Sequence, residues 1–204
     1  MNTLEFVNKK FDIGPDTKSP VRLVFKRYDM AGMFRELNFK VGAEVGVYKG
    51  EFSETLCLQN PGLKLYCIDP WIIYESEVPE FYANNQKFLD ECCQETGKRL
   101  APYKCKILRE TSMEAVKHFA PETLDFVYID ANHDYSHVLE DIEAWAKIVK
   151  PGGIVSGHDY GHYKYWFMTL GSRRAIDTYV KNHGIKMLFL PNRNYQTSWF
   201  FVKE

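Results

Sequence analysis

The strongest constraint on this chain is an alternation. Five short apolar runs, VGAEVGV (41–47), LKLYCID (63–69), YKCKIL (103–108), LDFVYID (124–130) and GGIVSGHD (152–159), are separated by segments of helical pattern. The helical segments are FSETLCLQ (52–59), FYANNQKFLDECCQETG (81–97), SMEAVKHFA (112–120) and HVLEDIEAWAKIVK (137–150). Strands joined through helices must return to the same end of the sheet each time, so the pattern predicts a parallel sheet covered on both faces. The end of the chain changes character: a helix over 172–184 leads to IKMLFL (185–190), the turn-rich PNRN and YQTSWFFVK (195–203), which read as a hairpin. The expected fold is α/β, a doubly wound Rossmann-like sheet of seven strands, mostly parallel with one antiparallel strand near the C-terminus, with helices on both faces. At the other end, VRLVFKRYDMAGMFRELN (21–38) carries helical spacing and predicts an N-terminal helix. Residues 1–20, polar and broken by Gly14 and Pro15, read as a loose extension.

At 204 residues and 45% hydrophobic, the chain can bury one sizeable core, and residues 1–204 are expected to form a single domain. A net charge of −1 and a pI near 6.6 supply no global attraction to nucleic acid or anionic lipid. No run of apolar residues is long enough to span a bilayer, and the N-terminus lacks a leader pattern, so a soluble, cytoplasmic protein is expected, with no membrane or nucleic-acid partner. Homo-oligomerisation stays open. The five cysteines, at 57, 67, 92, 93 and 105, have no C-x-x-C spacing and read as reduced, mostly buried thiols.

In an open sheet of this kind a ligand sits beyond the carboxyl ends of the strands, which makes the last residues of each run the candidates. The first run ends in Glu44-Val-Gly-Val-Tyr-Lys-Gly50, where Gly46 and Gly50 permit a tight turn with backbone close to a ligand. The spacing E-x-G-x-x-x-G differs from the G-x-G-x-x-G of dinucleotide folds and argues against a nicotinamide cofactor. The second run ends at Asp69, a carboxylate suited to the hydroxyls of a ribose and equally to a turn. After the third, Thr111 or Ser112 caps a helix. The fourth and fifth end in an echo: IDANHDYSH (129–137) returns as GHDYGH (157–162). Zinc binding, general-base catalysis and coincidence are the readings of that pair. H-x-x-x-H at His133 and His137 lacks the glutamate of the zinc proteases, because Asp134 stands in its place. Asp134 and Asp141 read as charges complementing a helix dipole, and His137 and His162 as surface or packing residues outside the site.

In order along residues 41–160 stand AEVGVYKGEFS, CIDPW, DFVYIDANHDY, VKPGGIV and GHDY. Together these resemble the class I S-adenosylmethionine-dependent methyltransferases, within them the small-molecule O-methyltransferase branch that includes catechol O-methyltransferase. The resemblance implies that Glu44, Gly46 and Gly50 line the methionine end of S-adenosyl-L-methionine, that Asp69 holds its ribose, and that Ser112 with Met113 borders its adenine. Trp71 is then either a neighbour of the nucleoside or a core residue. In the metal-dependent relatives an acid ends strand four, two polar residues end strand five, and a base follows three positions after the first acid. Carried over, this implies Asp130, His158 and Asp159 as ligands of a divalent cation, with Asp130 also beside the cofactor, and His133 as catalytic base assisted by Asp130. His158 replaces the carboxylate usual in the catechol enzyme, which shifts preference from magnesium toward manganese, iron or zinc, or toward no metal.

The acceptor would be gripped by parts outside this pattern: the N-terminal helix, IIYESEVPE (72–80), the aromatic run containing Tyr160, Tyr163, Tyr165 and Trp166, and the NRNYQTSW turn. Arg173 and Arg174 read as solvated surface. The expected function is methyl transfer to a hydroxyl of a small molecule, a phenol, sugar or natural product. The alternatives are a methyltransferase-fold protein that binds the cofactor without turnover, and an NAD-dependent oxidoreductase.

Overall fold

The computed structural model describes residues 1–73, 85–161, 171–191 and 197–204, together with the backbone of 164–165 and 168–169. Its strands are β1 (Val21–Leu23), β2 (Val41–Val45), β3 (Lys64–Ile68), β4 (Cys105–Leu108), β5 (Leu124–Ile129), β6 (Val149–Gly157), β7 (Lys164–Tyr165), β8 (Met168–Thr169), β9 (Phe189–Pro191) and β10 (Trp199–Val202). The helices are α1 (Thr3–Lys10), α2 (Arg27–Glu36), α3 (Glu51–Gln59), α4 (Gln86–Leu100), α5 (Ser112–Ala115), α6 (Tyr135–Ile148) and α7 (Ser172–Asn182). Eight strands form one sheet in the order β1-β9-β10-β6-β5-β2-β3-β4, and β7 and β8 pair separately. Within it β10 alone runs antiparallel to its neighbours, β6 and β9, so the doubly wound α/β sheet expected from the alternation is present.

Why β5 sits centrally follows from its residues. Phe126 and Tyr128 face one core with Phe34, Phe52, Leu56, Leu65 and Phe200, while Val127 and Ile129 face the other with Ile142, Trp145, Ile176 and Phe201. A strand apolar on both faces is stable only between two helical layers. Each large side chain fully buried there stabilises by about 1.5–3 kcal/mol. Gly42, opposite Phe126 in the β2–β5 register, makes room for that ring: a Cβ at Gly42 would lie 2.2 Å from it. Phe126 in turn stacks on Phe34 of α2 at 4.2 Å between centroids. On the opposite face Val138, Ile142 and Trp145 form the buried stripe of α6, at the spacing a helix requires.

The N-terminal expectations need correction. Residues 1–20 are not loose at their start: Asn2 caps α1, accepting from the Glu5 amide at 2.8 Å, and Val7 is wholly buried. The stretch 21–38 is not one helix. Val21 and Leu23 face inward around an exposed Arg22 and pair in parallel with β9, and the helix begins only at Arg27. Three residues of period two inside an apolar segment are too short to outweigh a helical pattern, so the sheet gains an eighth strand at its edge. The 112–120 segment also divides, into α5 and a single turn of 3-10 helix, Val116–His118.

The crossovers from β2 lead to β3 and β4 on one side, and those from β5 lead to β6 on the other. The strand order therefore reverses between β2 and β5, and the crevice at that point is where ligands of such sheets bind.

Candidate active site at the carboxyl ends of the central strands

Glu44, next to last in β2, turns its carboxylate into the protein, where it accepts a short hydrogen bond from the Ser53 hydroxyl of α3. Burial pushes its pKa up to about 8, against the opposing effects of the Ser53 bond and the Arg27 charge. Beyond β2 the chain turns at Gly46, with φ of 90° and its amide bonded to the Ile68 carbonyl at 2.9 Å. A Cβ there would stand 2.1 Å from the Asp130 carbonyl oxygen, so only glycine lets the ends of β2 and β5 press together. Gly50, also at positive φ, is the N-cap of α3.

The Asp69 carboxylate braces this loop. Its Oδ2 accepts from the Val47 amide at 3.0 Å and the Tyr48 amide at 2.9 Å, and its Oδ1 from the Trp71 amide at 2.8 Å. Trp71 is buried in the core, its indole N–H donating to the Tyr48 carbonyl at 2.8 Å. Asp69 and Trp71 thus hold the turn from both ends. On the far side of β3, Thr111 caps α5. Ser112 donates a short hydrogen bond to Asp141 of α6 and accepts one from the Trp145 indole at 2.8 Å, with Met113 half-buried beside it. Asp141, expected as a helix-start charge complementing the dipole, stands in the middle of α6 and is buried; desolvation pushes its pKa up to about 6, against the Ser112 bond.

The two His-Asp-Tyr runs meet across β5 and β6. His133 Nε2 lies 2.8 Å from Oδ2 of Asp159 and 3.9 Å from Oδ1 of Asp130. His158 Nδ1 lies 3.1 Å from Oδ1 of Asp159 and 3.9 Å from Oδ1 of Asp130. Burial alone would raise both carboxyl groups, but the neighbouring His133 and the charge of His158 hold Asp130 below the usual range, with Arg27 adding to the effect. Bonds from both histidines hold Asp159 far lower still. The tyrosines of the two runs diverge: Tyr160 donates to Asp177 at 2.7 Å, and Tyr135 opens α6 beneath the Arg174 guanidinium. Asp134 is the buried N-cap residue of α6, and His137 is exposed beside it.

Sequence reasoning missed Arg27. At the start of α2, it donates from Nη1 to Oδ2 of Asp130 at 3.0 Å, and its guanidinium packs over Phe52 at 4.7 Å, Tyr28 at 5.5 Å and Tyr128 at 5.7 Å. No local signal marks it, because the partner lies 103 positions away. Of the candidate acceptor-binding segments, 74–80, the side chains of 162–167, and 192–196 lie outside the described residues.

Both implied groups can be tested against these residues. Asp130, His133 and Asp159 offer ligand atoms within 4.8 Å of one another, and two carboxylates with one imidazole suit a borderline divalent cation better than magnesium. For a nucleoside sulfonium, the crevice presents the braced loop 46–50 and Asp69 at the tip of β3. The donor sets fit both groups.

Sheet order and turn are those of a class I S-adenosylmethionine-dependent methyltransferase fold. The chain belongs to the methyltransferase domain family, which matches residues 43–160. Among curated proteins it is similar to tRNA N(3)-methylcytidine methyltransferase trm141 of Schizosaccharomyces pombe, 27% identical over 151 residues, covering 72% of this chain and 56% of that protein. The chain thus spans little more than half the length of that relative. Among solved structures, an O-methyltransferase from Bacillus cereus in complex with SAH aligns at a TM-score of 0.60 and 14% identity, covering 98% of this chain and 90% of that one. A protein assigned as a caffeoyl-CoA O-methyltransferase from Staphylococcus aureus aligns at 0.63 and 14%, with the same coverage. At such identities the likeness is one of fold. No helix of the described residues is long and apolar enough to cross a membrane.

Proposed function

We propose that residues 1–204 act as one catalytic domain that moves a methyl group from S-adenosyl-L-methionine to a hydroxyl of a small molecule, in the manner of the catechol O-methyltransferase branch. The observation that carries this reading is the convergence of Asp130, His133, His158 and Asp159 beside the turn at Gly46, within the crevice where the strand order reverses. The cofactor supplies an electrophilic methyl group on a positively charged sulfur. What remains for the protein is to place an oxygen within about 3–3.5 Å in line with that methyl and to accept its proton.

In this reading Glu44, Gly46 and Gly50 border the methionine end, Asp69 and Trp71 fix the loop that contacts the ribose, and Ser112 and Met113 border the adenine. His133 takes the acceptor's proton, oriented by Asp159 and Asp130. Asp130 and Asp159, joined by His158 or by His133 itself, would hold a divalent cation, which lowers the pKa of a bound hydroxyl. A cation held by His133 would move the base to another group, so the metal question and the base question are one. Calorimetry with S-adenosyl-L-methionine, followed by mass spectrometry of products from a panel of phenols, sugars and tRNA, tests the proposal. Cofactor binding with gain of one methylene unit on a small hydroxylated acceptor supports it; binding without any product favours a cofactor-binding module; methylated tRNA alone would move the protein toward its yeast relative.

A further inference from the structure

We propose that Cys57 and Cys105 form a thiol pair that hydroperoxides oxidise to a reversible disulfide, with Cys105 attacked first and Cys57 resolving it. The two sulfurs stand 3.4 Å apart, one on α3 and one on β4, the strand at the end of the sheet. An ordinary S–S bond is about 2 Å long, so little movement separates the pair from bonding distance. Along the chain the two cysteines are 48 positions apart, and no local spacing marks them. Cys105 opens β4 at the end of the sheet away from the methyltransferase crevice, so the inference does not depend on the function proposed above.

Place excludes the other cysteines. Cys67 of β3 is wholly buried, its sulfur 3.5 Å from the Ser53 hydroxyl. Cys92 and Cys93 are consecutive in α4, where adjacent side chains do not face each other. Among the described residues only Asp130, His133 and Asp159 bring three ligand atoms within 4.8 Å of one another, so the thiols do not form a cage for a cation. Cys57 is buried, whereas Cys105 is half-buried at the start of the edge strand, where a small oxidant reaches it. The hydrogen bond between the two sulfurs holds the Cys105 thiol below its ordinary range and pushes Cys57 up, which puts the thiolate on the accessible member. An accessible thiolate beside a second thiol is the arrangement peroxide-sensitive cysteines share. The Cys105 thiolate breaks the O–O bond of hydrogen peroxide, forming a sulfenic acid and releasing hydroxide, which takes a proton to become water. Cys57 sulfur then attacks that of Cys105; the S–O bond breaks, and its hydroxyl leaves with the Cys57 proton as a second water. Two thiols lose two electrons and the peroxide gains them. The bond closes residues 57–105 into a ring containing β3, Asp69 and α4, and pins α3, which Gly50 caps, to the sheet edge.

Peptide mapping of wild-type protein tests the pair directly. After treatment with hydrogen peroxide in native buffer, then denaturation and alkylation, the monomer is expected to have lost two hydrogens in mass and two of its five alkylatable thiols. Proteolysis is expected to yield one cross-linked peptide joining Cys57 to Cys105, and dithiothreitol to restore all five thiols. Five thiols still open after peroxide, a bond between any other two cysteines, or a bond between two molecules would overturn the assignment. The order of attack is read by trapping sulfenic acid with dimedone during oxidation: Cys57→Ser is expected to carry the adduct at Cys105, and Cys105→Ser to carry none at Cys57. An adduct at Cys57, or none in either variant, would overturn the roles. Should the variants not fold, dimedone added to wild-type protein with limiting peroxide must label Cys105 ahead of Cys57, and the reverse order would overturn them equally.

Discussion

His133 Nε2 stands 2.8 Å from the Asp159 carboxylate, joining the two His-Asp-Tyr runs across neighbouring strands. Asp130 lies 3.9 Å from the same nitrogen, so one imidazole answers to acids from both β5 and β6. Such a ring is oriented before substrate arrives, which is what a general base requires.

His133→Ala should therefore lower kcat by about 10²- to 10⁴-fold while cofactor affinity stays within about twofold, since a proton acceptor acts mainly in the transition state. Steady-state kinetics beside calorimetry would check this, and parallel losses in rate and binding would contradict the role.

Asp69→Ala should act in the opposite order. It removes three backbone bonds that brace residues 47, 48 and 71, so cofactor binding weakens first, with about 2–4 kcal/mol of stability lost. Calorimetry and denaturant melts would show whether binding falls before kcat does.

If a cation acts here, chelation should abolish turnover and manganese should restore it, whereas Asp159→Asn should remove the response to manganese. Turnover indifferent to both treatments would leave the histidine–aspartate cluster as the sole acid–base machinery.

Gly46→Ala should destabilise the fold by about 2–4 kcal/mol, because φ of 90° disfavours a Cβ and the Asp130 carbonyl lies 2.1 Å from where it would stand. A melting temperature unchanged from wild type would mean that the ends of β2 and β5 separate more readily than the geometry implies.

Asp141 gives a pH signature. Its folded pKa is raised to about 6, above the ordinary aspartate value, so its favourable contribution is complete at low pH and is lost as pH rises from about 4 through 6. Asp141→Asn should flatten the stability profile over that window by about 1–3 kcal/mol, gaining on wild type as pH increases. Urea melts at several pH values would test it, and an unchanged slope would show that Asp141 is solvated in solution.

The methyltransferase pattern was legible because its parts are local. Apolar runs long enough to show their period placed β2 to β6, and Asp69, Asp130 and Asp159 each ended a run where the chain must turn. Val21–Leu23 escaped because three residues carry too little periodicity, and because its pairing partner, Phe189–Pro191, lies far along the chain. Asp141 was misplaced for a similar reason: a helix-start acid normally faces water, and only the packing of α5 against α6 brings Ser112 and Trp145 to it.

The sequence by itself determined the order of strands and helices from β2 to β6, the glycine that the Gly46 turn requires, and the set of acids and histidines at the strand tips, since these follow from side-chain period and backbone sterics. Tertiary structure alone decided which of them share an atom's reach. Arg27 meets Asp130, and His133 meets Asp159, through contacts between distant segments that no local pattern encodes.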